Sequence, residues 1–221
     1  MISQNKRYIE IPGPAGTLQA ILRSEPATPE RDPDSPIVII CHPHPQHGGT
    51  MQNKVVTTVS RAAADMGWDS LRFNYRGVGE SEGQYGEFFG ECDDLRSVIG
   101  WVRDQNPEKR LHLAGFSFGS GIASTVVGEF DQFASLTLVA PPVEKYDFQV
   151  QNSRFDCPVY VVQGSADELV DYQAVERWCK GVDPVPEFLM LMEADHFFHR
   201  RLVELREQLV VRWSRTLKHN K

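Results

Sequence analysis

A chain of 221 residues is long enough for one large core and short for two, so a single domain spanning 1–221 is expected. With 41% hydrophobic and 24% charged residues, the composition argues against disordered, fibrous and membrane classes; a formal net charge of −7 argues against nucleic-acid binding, which needs clustered Lys and Arg. The N-terminal MISQNKRYIEIPG lacks the apolar centre of a secretion signal, no run nears the roughly 18 apolar residues of a membrane span, and Cys41, Cys92, Cys157 and Cys179 form no C-x-x-C pair. These features predict a cytoplasmic protein with reduced thiols, no membrane span and a small-molecule partner.

Along the chain, short β-branched runs alternate with segments of helical period, the pattern of a mostly parallel sheet covered on both faces. Tyr8 to Ile11 and Leu18 to Arg23 are predicted as an antiparallel hairpin turning through Pro12, Gly13, Pro14 and Gly16, and Ser24 to Pro36 as a surface loop. Further strands are predicted at Ile37 to Cys41, Leu71 to Tyr75, Leu111 to Gly115, Leu136 to Ala140, Val159 to Gln163 and Phe188 to Met192. Between them, Val55, Val56, Val59, Ala62, Ala63 and Met66 share one helical face, as do Leu95, Val98, Ile99 and Val102. Leu202, Leu205, Leu209, Trp213 and Leu217 form the apolar stripe of a closing amphipathic helix.

The motif G-x-S-x-G occurs twice, and context separates the two copies. Gly115-Phe116-Ser117-Phe118-Gly119 follows the apolar run LHLA and precedes a segment in which Phe118, Ile122 and Val126 recur every four residues. That is strand, turn and helix, the arrangement that strains a serine into exposing its hydroxyl at a helix N-terminus. Gly79-Glu80-Ser81-Glu82-Gly83 lies in a loop without a following helical repeat, and its flanking carboxylates would oppose an oxyanion. Ser117 is therefore the candidate nucleophile.

A nucleophilic serine needs a base within hydrogen-bond reach and a third group to orient that base. In VYVVQGSADELV an apolar strand ends in a turn carrying Asp167, and FLMLMEADHFFHR puts His196 in the loop after the next strand. Asp167 is the favoured acid because its turn follows the strand directly; Glu168, Asp171 and Asp195 stay open as rivals. His199 reads as a surface or capping residue at the start of the closing helix.

The chain resembles the α/β-hydrolases along nearly its full length, through AGFSFG, GSAD and ADHFF. Within that superfamily it is similar to small bacterial serine hydrolases bearing CHPHP, GGTM-x-NKVV, FN[FY]RGVG-x-S-x-G, GFSFG and DHFF. The resemblance implies an α/β-hydrolase fold, the triad order Ser117, Asp167, His196, and hydrolysis through an acyl-enzyme. It also implies two backbone amides as oxyanion donors: Phe118, directly after the nucleophile, and His44, which aligns with the usual donor position. Pro43 and Pro45 bracket His44 and have no amide hydrogen, while Gln46 and Gly48-Gly49 are the alternatives.

His42, His44 and His47 also invite a metal reading, yet the serine machinery already accounts for acyl transfer, so no metal or cofactor is expected. Phe88, Phe89, Phe116, Phe118, Phe197 and Phe198 flank the motifs, and Phe116 and Phe197 are the candidates for substrate contact. Arg76, Glu91, Asp93 and Asp94 read as structural charges. The stretch Pro141 to Cys157, where many relatives insert a cap, is too short for one, so an open site and small carboxylic esters are expected. Thioesters, peptides or lactones would use the same residues; a binding protein that has lost turnover and a metal hydrolase on the three histidines are readings of other classes.

Overall fold

In the computed structural model, residues 6–26, 35–131, 133–146 and 154–216 are described. Eight strands form one sheet: β1 (Lys6–Gly13), β2 (Gly16–Arg23), β3 (Ile37–Cys41), β4 (Asp69–Phe73), β5 (Leu111–Phe116), β6 (Phe133–Val139), β7 (Val159–Gly164) and β8 (Glu187–Leu191). Their order across the sheet is β1-β2-β4-β3-β5-β6-β7-β8. The hairpin β1–β2 and the pair β2–β4 are antiparallel, and every later pair is parallel. This is the expected mostly parallel sheet with helices on both faces, and no cap domain lies among the described residues.

Among the described residues, five α-helices cover the sheet: α1 (Lys54–Asp65), α2 (Phe89–Gln105), α3 (Phe118–Val127), α4 (Tyr172–Lys180) and α5 (Leu202–Thr216). Strand alternation divides the apolar residues between two cores. Val38, Ile40, Ala114 and Phe116 join Val55, Val59, Leu205, Leu209 and Trp213 under α1 and α5. Ile37, Ile39, Leu113 and Leu136 join Leu95, Val98, Ile122, Val126 and Trp178 under α2, α3 and α4. The predicted helical faces thus meet the sheet, although Leu217 and most of the Ser24 to Pro36 loop lie outside the described residues.

The hairpin is longer than expected, with Pro12 paired to Thr17 and Gly13 to Gly16 so that Pro14 and Ala15 alone make the turn, and two further strands depart from expectation. β4 begins at Asp69 and ends at Phe73; beyond it the Asn74 amide still donates to the Gln19 carbonyl of β2 at 2.8 Å, and the chain leaves the sheet at Tyr75. Asn74 accepts the Met51 amide through Oδ1 at 2.8 Å, and the Tyr75 amide donates to His42. β6 begins earlier than predicted, at Phe133, and ends at Val139.

A polar relay crosses the core beneath α5. His112 is fully buried, bonded to Ser135 through Nδ1 and to Thr137 Oγ1 through Nε2 at 2.9 Å. Thr137 Oγ1 also accepts the Trp213 indole N–H at 3.0 Å, tying the closing helix to β5 and β6. Burial pushes the His112 imidazole down to about 3, so the ring is neutral there.

Candidate active site

The parallel strands send their carboxyl ends to one edge, and the candidate residues collect in the loops beyond it. Ser117 stands between β5 and α3 with φ 53° and ψ −120°, a conformation that a non-glycine residue adopts only under constraint. The constraint is visible: the Ser117 amide donates to the Val139 carbonyl at 2.8 Å, and Ser120 Oγ donates to the carbonyls of Gly115 and Val139 at 2.8 and 3.0 Å. Gly119 is required for close approach, since a Cβ there would run into the Cys41 and His42 carbonyls.

His196, in the loop after β8, brings Nε2 to 2.9 Å from Ser117 Oγ. Its Nδ1 lies 3.0 and 2.9 Å from the two Asp167 oxygens. With Nδ1–H donating to the carboxylate, Nε2 is left as acceptor for the serine hydroxyl. Both side chains are withdrawn from solvent, at 3% exposure for His196 and 0% for Asp167, whereas Ser117 is half-buried.

Asp167 is held by more than the histidine. Its Oδ1 accepts the Leu169 and Val170 amides, each at 2.9 Å, and its Oδ2 accepts Gln163 Nε2 at 2.8 Å. Burial pushes the carboxyl upward, but His196 and those two amides outweigh it and hold Asp167 below the usual range.

The rivals have other tasks. Asp195 accepts the His199 amide at 2.9 Å and pairs with its Nδ1 at 2.7 Å. Asp171 caps α4 through the Gln173 amide, and Glu168 accepts the His196 amide at 3.3 Å. Ser81, in the second G-x-S-x-G, is buried with its hydroxyl donating to the Asn74 carbonyl and accepting the Gln19 amide. Arg76 and Asp94 form a bidentate pair, and Glu91 accepts the Gly86 and Phe88 amides, so these charges pin the loop before α2.

The three clustered histidines diverge. His42 is fully buried and uses both ring nitrogens, on the Pro43 carbonyl and the Tyr75 amide. His44 accepts the Gln46 amide through Nδ1, meets Tyr85 Oη through Nε2 at 3.3 Å, and packs on Phe118 with ring centroids 4.7 Å apart. Burial, then the nearby His47 and Lys145, lowers its imidazole. His47 stacks on His44 at the exposed rim. Among the described residues, no group of three His, Cys, Asp or Glu side chains is arranged to hold a metal ion.

One expectation is corrected. Phe116 is fully buried in the core shared with α1 and α5, where its ring lies 5.2 Å from that of His196, so it backs that imidazole and is not exposed to a substrate. Phe197 is 37% exposed beside the His196 ring and is available at the surface. Three side chains escaped the sequence reading: Gln163, Tyr85 and Tyr146, the last packed against Phe88 and Phe118. Only Gln163 carried a signal, an amide at the end of the otherwise apolar run VYVV. An apolar hollow lined by Phe155, Cys157, Pro158, Val185 and Arg215 lies at the opposite, amino-terminal edge of β7 and β8, far from the serine.

Comparison with known proteins agrees with this architecture. A family model described as alpha/beta hydrolase fold matches residues 36–156, more than half of the chain. A solved α/β serine hydrolase homologue from Coxiella burnetii is 40% identical, with a TM-score of 0.88 over 96% of this chain and 99% of that one. An α/β serine hydrolase without lid from Xanthomonas campestris is 37% identical, with a TM-score of 0.86 over 96% and 97% of the two chains. An uncharacterised protein of Rickettsia prowazekii is 32% identical over 87% of this chain and 82% of its own. No helix among the described residues is long and apolar enough to cross a membrane.

Proposed function

The chain belongs to the α/β-hydrolase family, and we propose that it acts, as one domain, as a serine hydrolase cleaving small carboxylic esters through an acyl-enzyme. The observation that carries this reading is the unbroken chain from Ser117 Oγ through His196 to Asp167, with links of 2.9 Å, at a strained strand-to-helix elbow. In this reading His196 Nε2 takes the Ser117 proton as Oγ attacks the ester carbonyl, and Asp167 stabilises the imidazolium. His196 then returns the proton to the departing alcohol. Water, deprotonated by the same nitrogen, attacks the acyl-enzyme; the bond from the acyl carbon to Oγ breaks, His196 returns the proton to Ser117 Oγ, and the carboxylic acid leaves.

The developing oxyanion is assigned to the amides of Phe118 and His44. Phe118 is the first residue of α3, so its N–H has no partner within the helix. The ring contact between His44 and Phe118 supports the neighbouring placement of their backbones. Preference for small esters follows from the missing cap, since an open cleft gains little binding energy from a long acyl chain.

A fluorophosphonate probe and aryl esters from acetate to long acyl chains test the proposal, with Ser117→Ala as control. Covalent labelling lost in the variant, with turnover favouring the short esters, is the expected result. Absence of labelling in the wild-type protein would overturn the serine mechanism, and preference for the longest chains would overturn the substrate class.

A further inference from the structure

The unusual feature of the loop after β3 is a buried histidine bonded to the peptide carrying a proposed oxyanion donor. His42 Nδ1 lies 2.7 Å from the Pro43 carbonyl oxygen, while its Nε2 faces the Tyr75 amide at 3.2 Å. An amide N–H can only donate, so Nε2 is the acceptor and Nδ1 carries the hydrogen given to Pro43. The ring is fully buried, and burial pushes it down to about 3, so this tautomer persists through any ordinary assay pH.

The Pro43 carbonyl and the His44 N–H are two ends of one peptide unit. That unit is trans, and a planar trans peptide points its C=O and N–H in opposite directions. Fixing the carbonyl therefore fixes the amide. Donation to the carbonyl also polarises the unit and strengthens its N–H as a donor. One other contact bears on the same unit, since Gly49 packs so closely on Pro43 that a Cβ would strike its oxygen, and the following unit is held by the Gly49 amide, which donates to the His44 carbonyl at 3.0 Å.

We infer that His42 is a positioning residue for the oxyanion hole, aiming and polarising the Pro43–His44 peptide through its Nδ1–H while the Tyr75 amide fixes its tautomer. The inference rests on the proposed role of the His44 amide. His42 touches no reacting atom. Its effect therefore falls on transition-state stabilisation, hence on kcat, and leaves ground-state binding and the pH dependence set by His196 unchanged.

Three variants test it with a short aryl ester. His42→Leu removes both ring bonds and should lower kcat on the order of 100-fold, as expected when an oxyanion donor is lost, while KM changes less than about threefold. His42→Asn puts an amide N–H where Nδ1 stood and should keep most of kcat. His42→Gln places its amide nearer the Nε2 position, answers Tyr75 but not Pro43, and should fall with Leu. The acid limb of the kcat profile should not move in any of them. If the Leu variant does not fold, the Asn-to-Gln comparison decides. Gln equal to or better than Asn, or a loss confined to KM, overturns the inference. A wild-type protein that hydrolyses esters while these variants match it sinks only the role of His42. A wild-type protein that neither hydrolyses esters nor reacts with fluorophosphonate sinks the serine-hydrolase reading, and the inference with it.

Discussion

Mild acid should destabilise this protein well before its carboxylates are fully titrated, because two histidines are buried without any anion to pair with a proton. His112 and His42 are both pushed by burial from the ordinary histidine value to about 3. Between that value and about 6.5 the unfolded chain binds a proton at each site and the folded chain does not, so stability falls as pH falls. From pH 7.5 to 5.0 the loss is about 2 kcal/mol for each histidine, roughly 4 kcal/mol together, a large share of a typical folding free energy. His112→Gln isolates one of them. The variant starts less stable, since Ser135 and Thr137 lose a shared partner, but its decline between the two pH values should be smaller by about 2 kcal/mol. Urea unfolding midpoints at pH 7.5 and 5.0, converted with the shared slope, measure this. An equal decline in wild type and variant would show that His112 takes up its proton in the folded state and would refute the reasoning.

The assignment of the acid is tested by a pair of substitutions. Asp167→Asn should lower kcat by about 10⁴-fold, because an amide in place of the carboxylate no longer holds the His196 tautomer. Asp195→Asn, whose partner is His199, should leave kcat within about threefold, the order expected for a residue outside the reacting groups; steady-state ester hydrolysis reports both. Ser81→Ala strands the Gln19 amide and the Asn74 carbonyl in a buried place. It should cost about 1–3 kcal/mol in chemical denaturation while ester turnover per folded molecule stays unchanged, the reverse of the pattern for Ser117→Ala.

The sheet was legible because its parallel strands are buried on both faces and so read as β-branched runs, as in Ile37 to Cys41 and Val159 to Gln163. β4 was displaced because Asp69, Ser70 and Arg72 are polar residues that the fold buries, and burial of polar groups leaves no hydrophobic trace. Ser117 and His196 stood in local motifs, strand-turn-helix and the loop after the last strand. The acid was legible in part: the turn directly after β7 favours Asp167, but Glu168, Asp171 and Asp195 stay open until the fold brings the Asp167 carboxylate to His196 Nδ1 across 29 residues. Phe116 was misread for a reason present in the sequence. It lies two residues from Ala114 on the same strand, so alternation sends both toward α1 and α5. Proximity to the serine suggested a pocket, but strand geometry decides which way a side chain points.

With no cap domain among the described residues, the proposed proton relay has to be kept dry by some other means, and the burial pattern supplies one. His196 and Asp167 are nearly closed to solvent, while Ser117 is half-open. Phe116 backs the imidazole from inside the sheet, and Phe197 covers its edge from the loop that carries it. Gln163 and the Leu169 and Val170 amides solvate the carboxylate in place of water. Fixed dipoles of this kind do not reorganise as charge develops on the imidazole, and in a poorly screened interior they act more strongly than water would. The cleft can therefore be open to the substrate while the pair proposed to handle the proton is enclosed. In this architecture the fold itself does for the relay what a lid does elsewhere, which is why shortening the segment between β6 and β7 leaves the proposed chemistry intact and alters chiefly which esters reach it.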